Sequence, residues 1–236
     1  MNSYPVSIAK WHGGFLAIVL GLLSINSANA QVIWYNGDYD HQSGLVSTDS
    51  PSVPTDGIVY DDFNVTSATG WNIESIFGTF LFTAAATSTS ATWEIRSGVS
   101  VGNGGTIVAS GFGPAVVTQI GTDRGYNIEH IEISGLHFAL APGTYWVGME
   151  PTTPAGYGYL VTTSGANAIG TPAGNDSNAF FTSTDFDVFF VDTVPLDGHD
   201  FSLGLTGVAA PEPSVWMLLL GGCAALGLWR RWHRLS

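Results

Sequence analysis

The sequence predicts an all-β protein, a two-sheet β-sandwich of the jelly-roll kind, and three observations indicate this fold class. Between Gln31 and Ala210 the chain consists of short apolar and β-branched runs separated by Gly, Asn, Asp, Ser and Pro. Some runs alternate, so that Trp93 and Ile95 would face one side of a strand and Glu94 the other. No part of this stretch repeats its apolar residues with the 3.6-residue period of a helix. Many short strands between turn signals are typical of sandwiches.

The predicted strands follow one another along residues 31–206, which form the predicted domain. Trp71–Phe82 carries apolar residues on both faces, which predicts a central strand. Pro142-Gly143 and Gly104-Gly105 predict tight turns, and the Gly- and Asn-rich stretch 164–177 predicts the longest loop. The predicted strands are Val32–Asn36, Ile58–Phe63, Trp71–Phe82, Thr92–Ser97, Thr106–Ser110, Ala115–Ile120, Ile128–Ile133, Leu136–Leu140, Thr144–Glu150, Gly158–Thr163, Ala179–Ser183, Val188–Val191 and Phe201–Thr206.

The charge of this domain is strongly acidic. Residues 31–210 contain all the acidic residues of the chain except Glu212, and their only basic residues are Arg96 and Arg124, which leaves a formal charge of −16. Because phosphate binding depends on Lys and Arg, this composition excludes nucleic acid and anionic lipid as partners. The single cysteine, Cys223, lies outside this stretch, so the domain has neither a disulfide nor a thiol nucleophile.

The first 30 residues are predicted to be a secretory signal peptide. Lys10 gives the positive start, Phe15–Ile25 is the apolar segment, and Ala28-Asn29-Ala30 is the small-residue cleavage site. We therefore expect the secretion machinery to export the chain and signal peptidase to cut it after Ala30.

The C-terminal end has the layout of a membrane anchor. Pro211-Glu212-Pro213 cannot lie inside a helix, because proline lacks an N–H and fixes φ. As a helix, the apolar run Ser214–Trp229 would be about 24 Å long, close to the roughly 30 Å of a bilayer core. Arg230, Arg231 and Arg234 follow directly and are expected to stay in the cytoplasm. These features predict a linker over 207–213, a transmembrane helix over 214–229 and a basic tail over 230–236.

The order of these three parts resembles the PEP-CTERM sorting signal of Gram-negative bacteria. The resemblance covers Pro211–Ser236 and implies that exosortase, a membrane cysteine transpeptidase, recognises Pro211, Glu212 and Pro213. It further implies a protein held briefly in the inner membrane and then sorted to the cell surface or to an exopolysaccharide matrix, as in biofilm loci. The segments Trp93–Gly98, Gly102–Gly105, Pro142–Trp146 and Gly165–Ala168 look like a β-rich ectodomain found ahead of this signal, which implies a shared fold and no functional residues.

No catalytic residue is predicted. Gly98-Val99-Ser100-Val101-Gly102 matches the pattern of serine hydrolases, but their nucleophile lies between a strand and a helix. Here the sequence Asn103-Gly104-Gly105 would end a helix at once, so a β-turn is predicted instead. Acidic residues are numerous, yet their spacing specifies no particular pair for glycoside hydrolysis.

Two kinds of binding site are suggested by side-chain chemistry. Calcium prefers several oxygen ligands, and the acidic clusters Asp38 with Asp40, Asp61 with Asp62, and Asp176 beside Asn175 and Asn178 could supply them. The alternative is that they are solvated turn residues. Aromatic residues at strand ends could stack on sugar rings, or they could belong to the core; they are Trp34, Tyr35, Tyr39, Trp146, Tyr157 and Tyr159.

These observations lead to three functional hypotheses. The first is an exported, non-catalytic protein with a structural or adhesive role in the cell envelope or matrix. The second is a carbohydrate-binding module of the same fold at the cell surface, with polysaccharide as its partner. The third is a secreted hydrolase, which the absence of a catalytic motif disfavours.

Overall fold

The computed structural model describes residues 30–53, 56–83, 88–172, 174, 176–194 and 200–210. Ala28 of the predicted cleavage site, the Pro211–Pro213 motif, the apolar run 214–229 and the three arginines of the tail lie outside the described residues. Within the described residues, no helix is long and apolar enough to cross a membrane.

The described residues form an all-β structure. Its strands are β1 (Gln31–Tyr35), β2 (Tyr39–Val46), β3 (Gly57–Val65), β4 (Trp71–Thr83), β5 (Ser90–Ser97), β6 (Thr106–Pro114), β7 (Val116–Asp123), β8 (Tyr126–Leu140), β9 (Gly143–Thr152), β10 (Gly158–Thr163), β11 (Phe180–Ser183), β12 (Val188–Asp192), β13 (Asp200–Phe201) and β14 (Leu203–Ala209).

The strands form two antiparallel sheets. Sheet A contains eight strands and sheet B contains six, in the order β12-β11-β3-β9-β5-β6. In sheet A, β4 pairs with β8 along its whole length, while its other side pairs with β14 over its first half and with β10 near its end. The prediction that Trp71–Phe82 is a central strand is therefore confirmed. The two-sheet architecture is also as predicted.

Aromatic side chains connect the two sheets across the core. Trp34 of β1 lies 5.5 Å from Phe63 of β3, measured between ring centroids, and Phe63 stacks on Trp71 of β4 at 6.1 Å. Trp34 and Phe63 are fully buried. Burial of one such side chain stabilises the folded state by roughly 2–3 kcal/mol relative to exposure. These aromatic contacts therefore contribute substantially to the packing of the two sheets.

The structure differs from the predicted strands at several places: the predicted strand Phe201–Thr206 is divided into β13 and β14, and β6 continues to Pro114 instead of ending at Ser110. β2 was not predicted, because only Leu45 and Val46 give it an apolar signal, and its pairing with β10 supplies what the local sequence lacks. β8 is one strand where two were predicted, since Gly135, with φ of +75°, accommodates a bulge instead of ending the strand. β14 continues to Ala209, three residues past the predicted domain end at Thr206.

Candidate functional site

A tyrosine-lined groove lies on the outer face of sheet A. Its floor is a small apolar cluster of Leu81 (β4), Ile128 (β8) and Val161 (β10), which faces away from the main core. Alternation explains this placement: Phe80 and Phe82, the neighbours of Leu81, point into the core. Three half-buried tyrosines from three strands pack on this floor, namely Tyr39, Tyr126 and Tyr159.

The groove has a volume of about 280 Å³. The rings of Tyr126 and Tyr159 meet edge to face at 5.9 Å, and Tyr157 stacks on Tyr159 at 6.0 Å. Such contacts hold the rings in fixed orientations, so the groove presents preformed aromatic surfaces. Its remaining lining residues are Gln42, Ser43, Gly44 and Arg124, together with Leu81.

A tight hairpin turn brings Arg124 to the groove. Arg124 and Gly125 form the two-residue connection between β7 and β8, and both have positive φ, +50° and +87°. Positive φ at both central residues is the signature of a type I′ turn, whose twist matches that of the flanking strands. The guanidinium then donates hydrogen bonds to the carbonyls of Gln42 (2.9 Å) and His41 (2.7 Å). These bonds tie the turn to β2 and hold the cation at the edge of the groove.

Asp123 supplies an acidic group beside this cation. Its carboxylate accepts a hydrogen bond from the Tyr39 hydroxyl at 3.0 Å, and Nδ1 of His41 lies 3.5 Å away. The hydrogen bond from Tyr39 lowers the pKa of Asp123 below its usual value, with a smaller contribution from His41 and Arg124. Burial, and to a smaller extent the carboxylate of Asp123, raises the pKa of Tyr39 to about 12. At neutral pH the groove therefore combines the neutral hydroxyl of Tyr39 with a carboxylate and a guanidinium.

The structure divides the aromatic residues singled out from the sequence into two groups. Tyr39 and Tyr159 line the groove, and Tyr157 stacks on Tyr159 beside it. Trp34 is fully buried and Trp146 is buried with its indole N–H donating to the carbonyl of Asn178, so both belong to the interior. Tyr35 lies elsewhere on sheet A, where its hydroxyl donates to Asp38 at 2.9 Å.

Sequence reasoning missed most members of the groove, including its third tyrosine, Tyr126, and its cation, Arg124. Tyr126 and Arg124 lie in the stretch between predicted strands, and nothing there indicated a hairpin except the Arg124-Gly125 pair followed by an alternating strand. Glycine at the second position of a two-residue connection is a known hairpin signal, although arginine at the first position is unusual.

The acidic residues proposed for calcium lie in different environments. Asp61 faces the core with Phe63, and its carboxylate accepts hydrogen bonds from the Asn36 amide (2.8 Å) and from the backbone N–H of Phe201. It thereby links sheet B to sheet A. Asp62 is the next residue of β3 and points to the opposite face of the sheet. Its Oδ1 has no hydrogen-bond partner among the described residues.

Asp200 is an additional member of this acidic cluster that the sequence did not reveal. Its carboxylate accepts hydrogen bonds from the backbone N–H groups of Asp176 and Ser177. These bonds hold the loop before β11 against the start of β13. Burial, and then the charge of Asp200, raises the pKa of Asp61 well above its usual value. Burial, and then the charge of Asp176, raises the pKa of Asp62 to about 7. Burial raises the pKa of Asp200 to about 6.

Asp38 and Asp40 take part in other interactions. Asp38 accepts hydrogen bonds from Tyr35 and from the side chain of Asn167, and Asp40 accepts one from the Thr162 hydroxyl at 2.8 Å. Across the part of the chain that the structure describes, no group of three or more Asp, Glu, His or Cys side chains is arranged to hold a metal ion. The possible structural calcium ion stays a prediction.

Two further sequence features have structural roles. Ser100 exchanges backbone hydrogen bonds with Asn103 at 3.0 and 2.8 Å, which is the turn predicted for the Gly98–Gly102 pattern. Arg96 donates to Glu94 at 2.6 Å and lies over the rings of Tyr60 and Phe190. The guanidinium of Arg96 is thus enclosed by its own sheet, whereas that of Arg124 lies at an open groove.

No protein-family model matches the chain, and no curated protein matches it. What the groove binds is therefore inferred from its own side chains.

Proposed function

We propose that this chain is an exported, non-catalytic adhesive protein whose β-sandwich binds polysaccharide in the tyrosine groove. The single observation that carries the proposal is the convergence of Tyr39, Tyr126 and Tyr159 around an open groove with Arg124 at its edge. Ligand sites combine apolar and aromatic walls with a few placed polar groups, and this groove has that composition.

The chemistry of the groove suits a sugar ring. The C–H face of a pyranose stacks on a tyrosine ring, while hydroxyls at the ring edge exchange hydrogen bonds with a carboxylate and a guanidinium. Asp123 and Arg124 are adjacent and supply one group of each kind. Their charges offset each other, which favours a neutral sugar. The volume of about 280 Å³ suits about one sugar residue of a longer chain that runs across the open surface.

The position of the groove supports display on a surface. The last described strand, β14, ends with Ala209 paired to Trp71, at the first residue of β4. The groove lies at Leu81, ten residues further along β4, which is roughly 33 Å away at 3.3 Å per residue. A C-terminal anchor would therefore leave the groove at the end of the domain that is farther from the membrane.

The binding proposal is tested by affinity electrophoresis of the protein in gels that contain neutral polysaccharides. Tyr159→Ala removes the ring between Tyr126 and Tyr157, and we expect at least a tenfold loss of affinity, about 1.4 kcal/mol. Tyr159→Phe keeps the stacking surface and should retain binding. The matched control is Phe189→Ala, which removes an exposed aromatic ring outside the groove. Equal retardation of Tyr159→Ala and wild type across all polysaccharides would refute the groove as the site.

We also propose the export route and the finer details of the fold that the sequence indicates. In this proposal residues 1–30 are a cleaved signal peptide, the sandwich has jelly-roll connections, and residues 214–229 span the inner membrane until exosortase processes the chain at the Pro211–Pro213 motif. Mass spectrometry of the protein from its native host tests both cleavages. Deletion of residues 211–236 should change its localisation, and unchanged retention and processing would contradict the sorting proposal.

A further inference from the structure

One side of the sandwich ends in two edge strands whose only charged residue is Asp123, the last residue of β7. Among the described residues, β6 is the last strand of sheet B and β7 is the last strand of sheet A on that side, and Ala115 alone separates them. Both strands expose large apolar side chains, which are Ile107, Val108 and Phe112 on β6 and Val116 and Ile120 on β7. Phe112 is 68% exposed and Val116 is 62% exposed, which is high for apolar residues on regular strands.

The charge of these strands contrasts with that of the rest of the domain. Residues 106–122 contain no Asp, Glu, Lys, Arg or His, while residues 31–210 carry a formal charge of −16. Two copies of such an acidic domain repel each other over most of their surfaces. The β6–β7 edge is a surface on which two copies can meet without placing carboxylates against each other.

Two edge strands on the opposite side, β2 and β12, carry more of the features that block strand addition. β2 contains Asp40 and a left-handed His41 (φ +62°), and its pairing with β10 shifts register. β12 contains a left-handed Phe190 (φ +45°) and ends at Asp192. Charges, bulges and irregular backbone are the usual protection of edge strands. The first half of β6, Thr106–Ser110, has no charge and no left-handed residue; its pairing with β5 shifts register at Val108, and its glycines and proline follow only at 111–114.

We infer that the β6–β7 edge is a self-association surface, on which a second copy of this chain adds its own β6 strand antiparallel to the first. The outer backbone groups of an edge strand can be satisfied only by another strand or by water. A second copy supplies an identical neutral strand, and a twofold axis between the two makes the contact self-complementary. The exposed side chains of Ile107, Val108 and Phe112 then pack against their counterparts. This inference does not depend on sugar binding, because the strand that pairs is β6, none of whose residues lines the groove.

The test is native mass spectrometry of the full chain released from mild detergent, with the number of copies recorded as protein and salt concentrations are raised. We expect a dimer that salt strengthens, because salt screens the repulsion between acidic domains. Val108→Lys places a charge on the edge and should weaken the dimer at least tenfold. Val101→Lys introduces the same charge at a turn residue that is 68% exposed and should leave the dimer unchanged.

A second measurement on the wild-type protein keeps the test independent of mutant folding. Hydrogen exchange should slow at the backbone amides of β6 as the dimer forms, while exchange in β12 stays the same. The proposal is overturned by a monomer under all conditions, by a dimer that Val108→Lys leaves intact, or by unchanged exchange in β6. A dimer that resists Val108→Lys would assign the contact to another surface, such as the apolar C-terminal run.

Discussion

At the scale of single residues, the interior is unusual because it contains carboxylates without a basic partner. Asp61 and Asp200 are fully buried, and Asp62 is 3% exposed. Their hydrogen bonds come from backbone N–H groups and from amides, and no salt bridge to them is present among the described residues. Burial of a charge is unfavourable unless it is paired, so these groups favour the protonated form.

We predict that Asp62→Asn stabilises the protein at pH 8 and that wild type loses stability as pH rises. The pKa of Asp62 is raised to about 7 in the folded protein. Its contribution to the free energy of unfolding is therefore complete below its pKa in the unfolded chain, near 4, and is lost as the pH rises through 7. The amide resembles the protonated acid, and the gain at pH 8 should be about 2 kcal/mol, or roughly 4–8 °C in Tm. Thermal unfolding of both proteins from pH 5 to pH 8 measures this.

The matched control is Asp187→Asn, which removes the same charge from an exposed turn. It should change Tm little at either pH. A wild-type Tm that rises from pH 5 to pH 8, or equal effects of the two substitutions, would show that the buried cluster does not control this dependence. Two other acidic residues also make the protein less stable as pH rises. Burial raises the pKa of Asp200 to about 6 and that of Glu150 to about 8.

The residue scale also shows what the sequence could reveal about sites. It identified Asp61, Asp62 and Asp176 as acidic residues of interest, but not Asp200, which is more than a hundred residues from Asp61 and meets it only through the pairing of β13 with β10. Alternation along β3 separates Asp61 from its neighbour Asp62. The sequence therefore indicated which residues are acidic, but not which residues they contact in the fold.

At the scale of strands and turns, local sequence predicted most elements because their apolar residues mark buried faces. β4 is the clearest case, since it is apolar on both sides and lies at the centre of sheet A. β2 could not be predicted, because Tyr39–Val46 is mostly polar and becomes a strand by pairing with β10. The groove depends on β2, which carries Tyr39 and accepts the bonds from Arg124.

We predict that Gly70→Ala strongly destabilises the protein. Gly70 precedes β4 with φ of +86°, and an added Cβ would lie 2.1 Å from the carbonyl oxygen of Leu140. The turn would have to move and the pairing between β4 and β8 would be disturbed, so we expect a loss of about 2–4 kcal/mol in the free energy of unfolding. Urea denaturation measures it. Gly113→Ala is the control, because nothing lies within 4 Å of its added Cβ; similar losses in both variants would contradict this explanation.

At the scale of the whole molecule, three surfaces have distinct chemistry. The tyrosine groove lies near the C-terminal end of β4, the described chain leaves at the N-terminal end of β4, and the β6–β7 edge, uncharged over residues 106–122, lies on one side. We propose that an acidic domain with this arrangement binds a neutral sugar chain at one end while a C-terminal anchor holds it at the other. Association through β6 would place two grooves on one assembly, which would raise the effective affinity for a repetitive polymer.

The most direct test of the central proposal is to map the sugar contact by nuclear magnetic resonance, with the tyrosine and tryptophan rings isotopically labelled. On addition of a soluble neutral polysaccharide fragment, we predict shifts for the ring signals of Tyr39, Tyr126, Tyr157 and Tyr159, and unchanged indole signals for the buried Trp34 and Trp146. If fragments that bind the protein leave these tyrosine signals unchanged, the groove is not the sugar site and the proposed function is wrong.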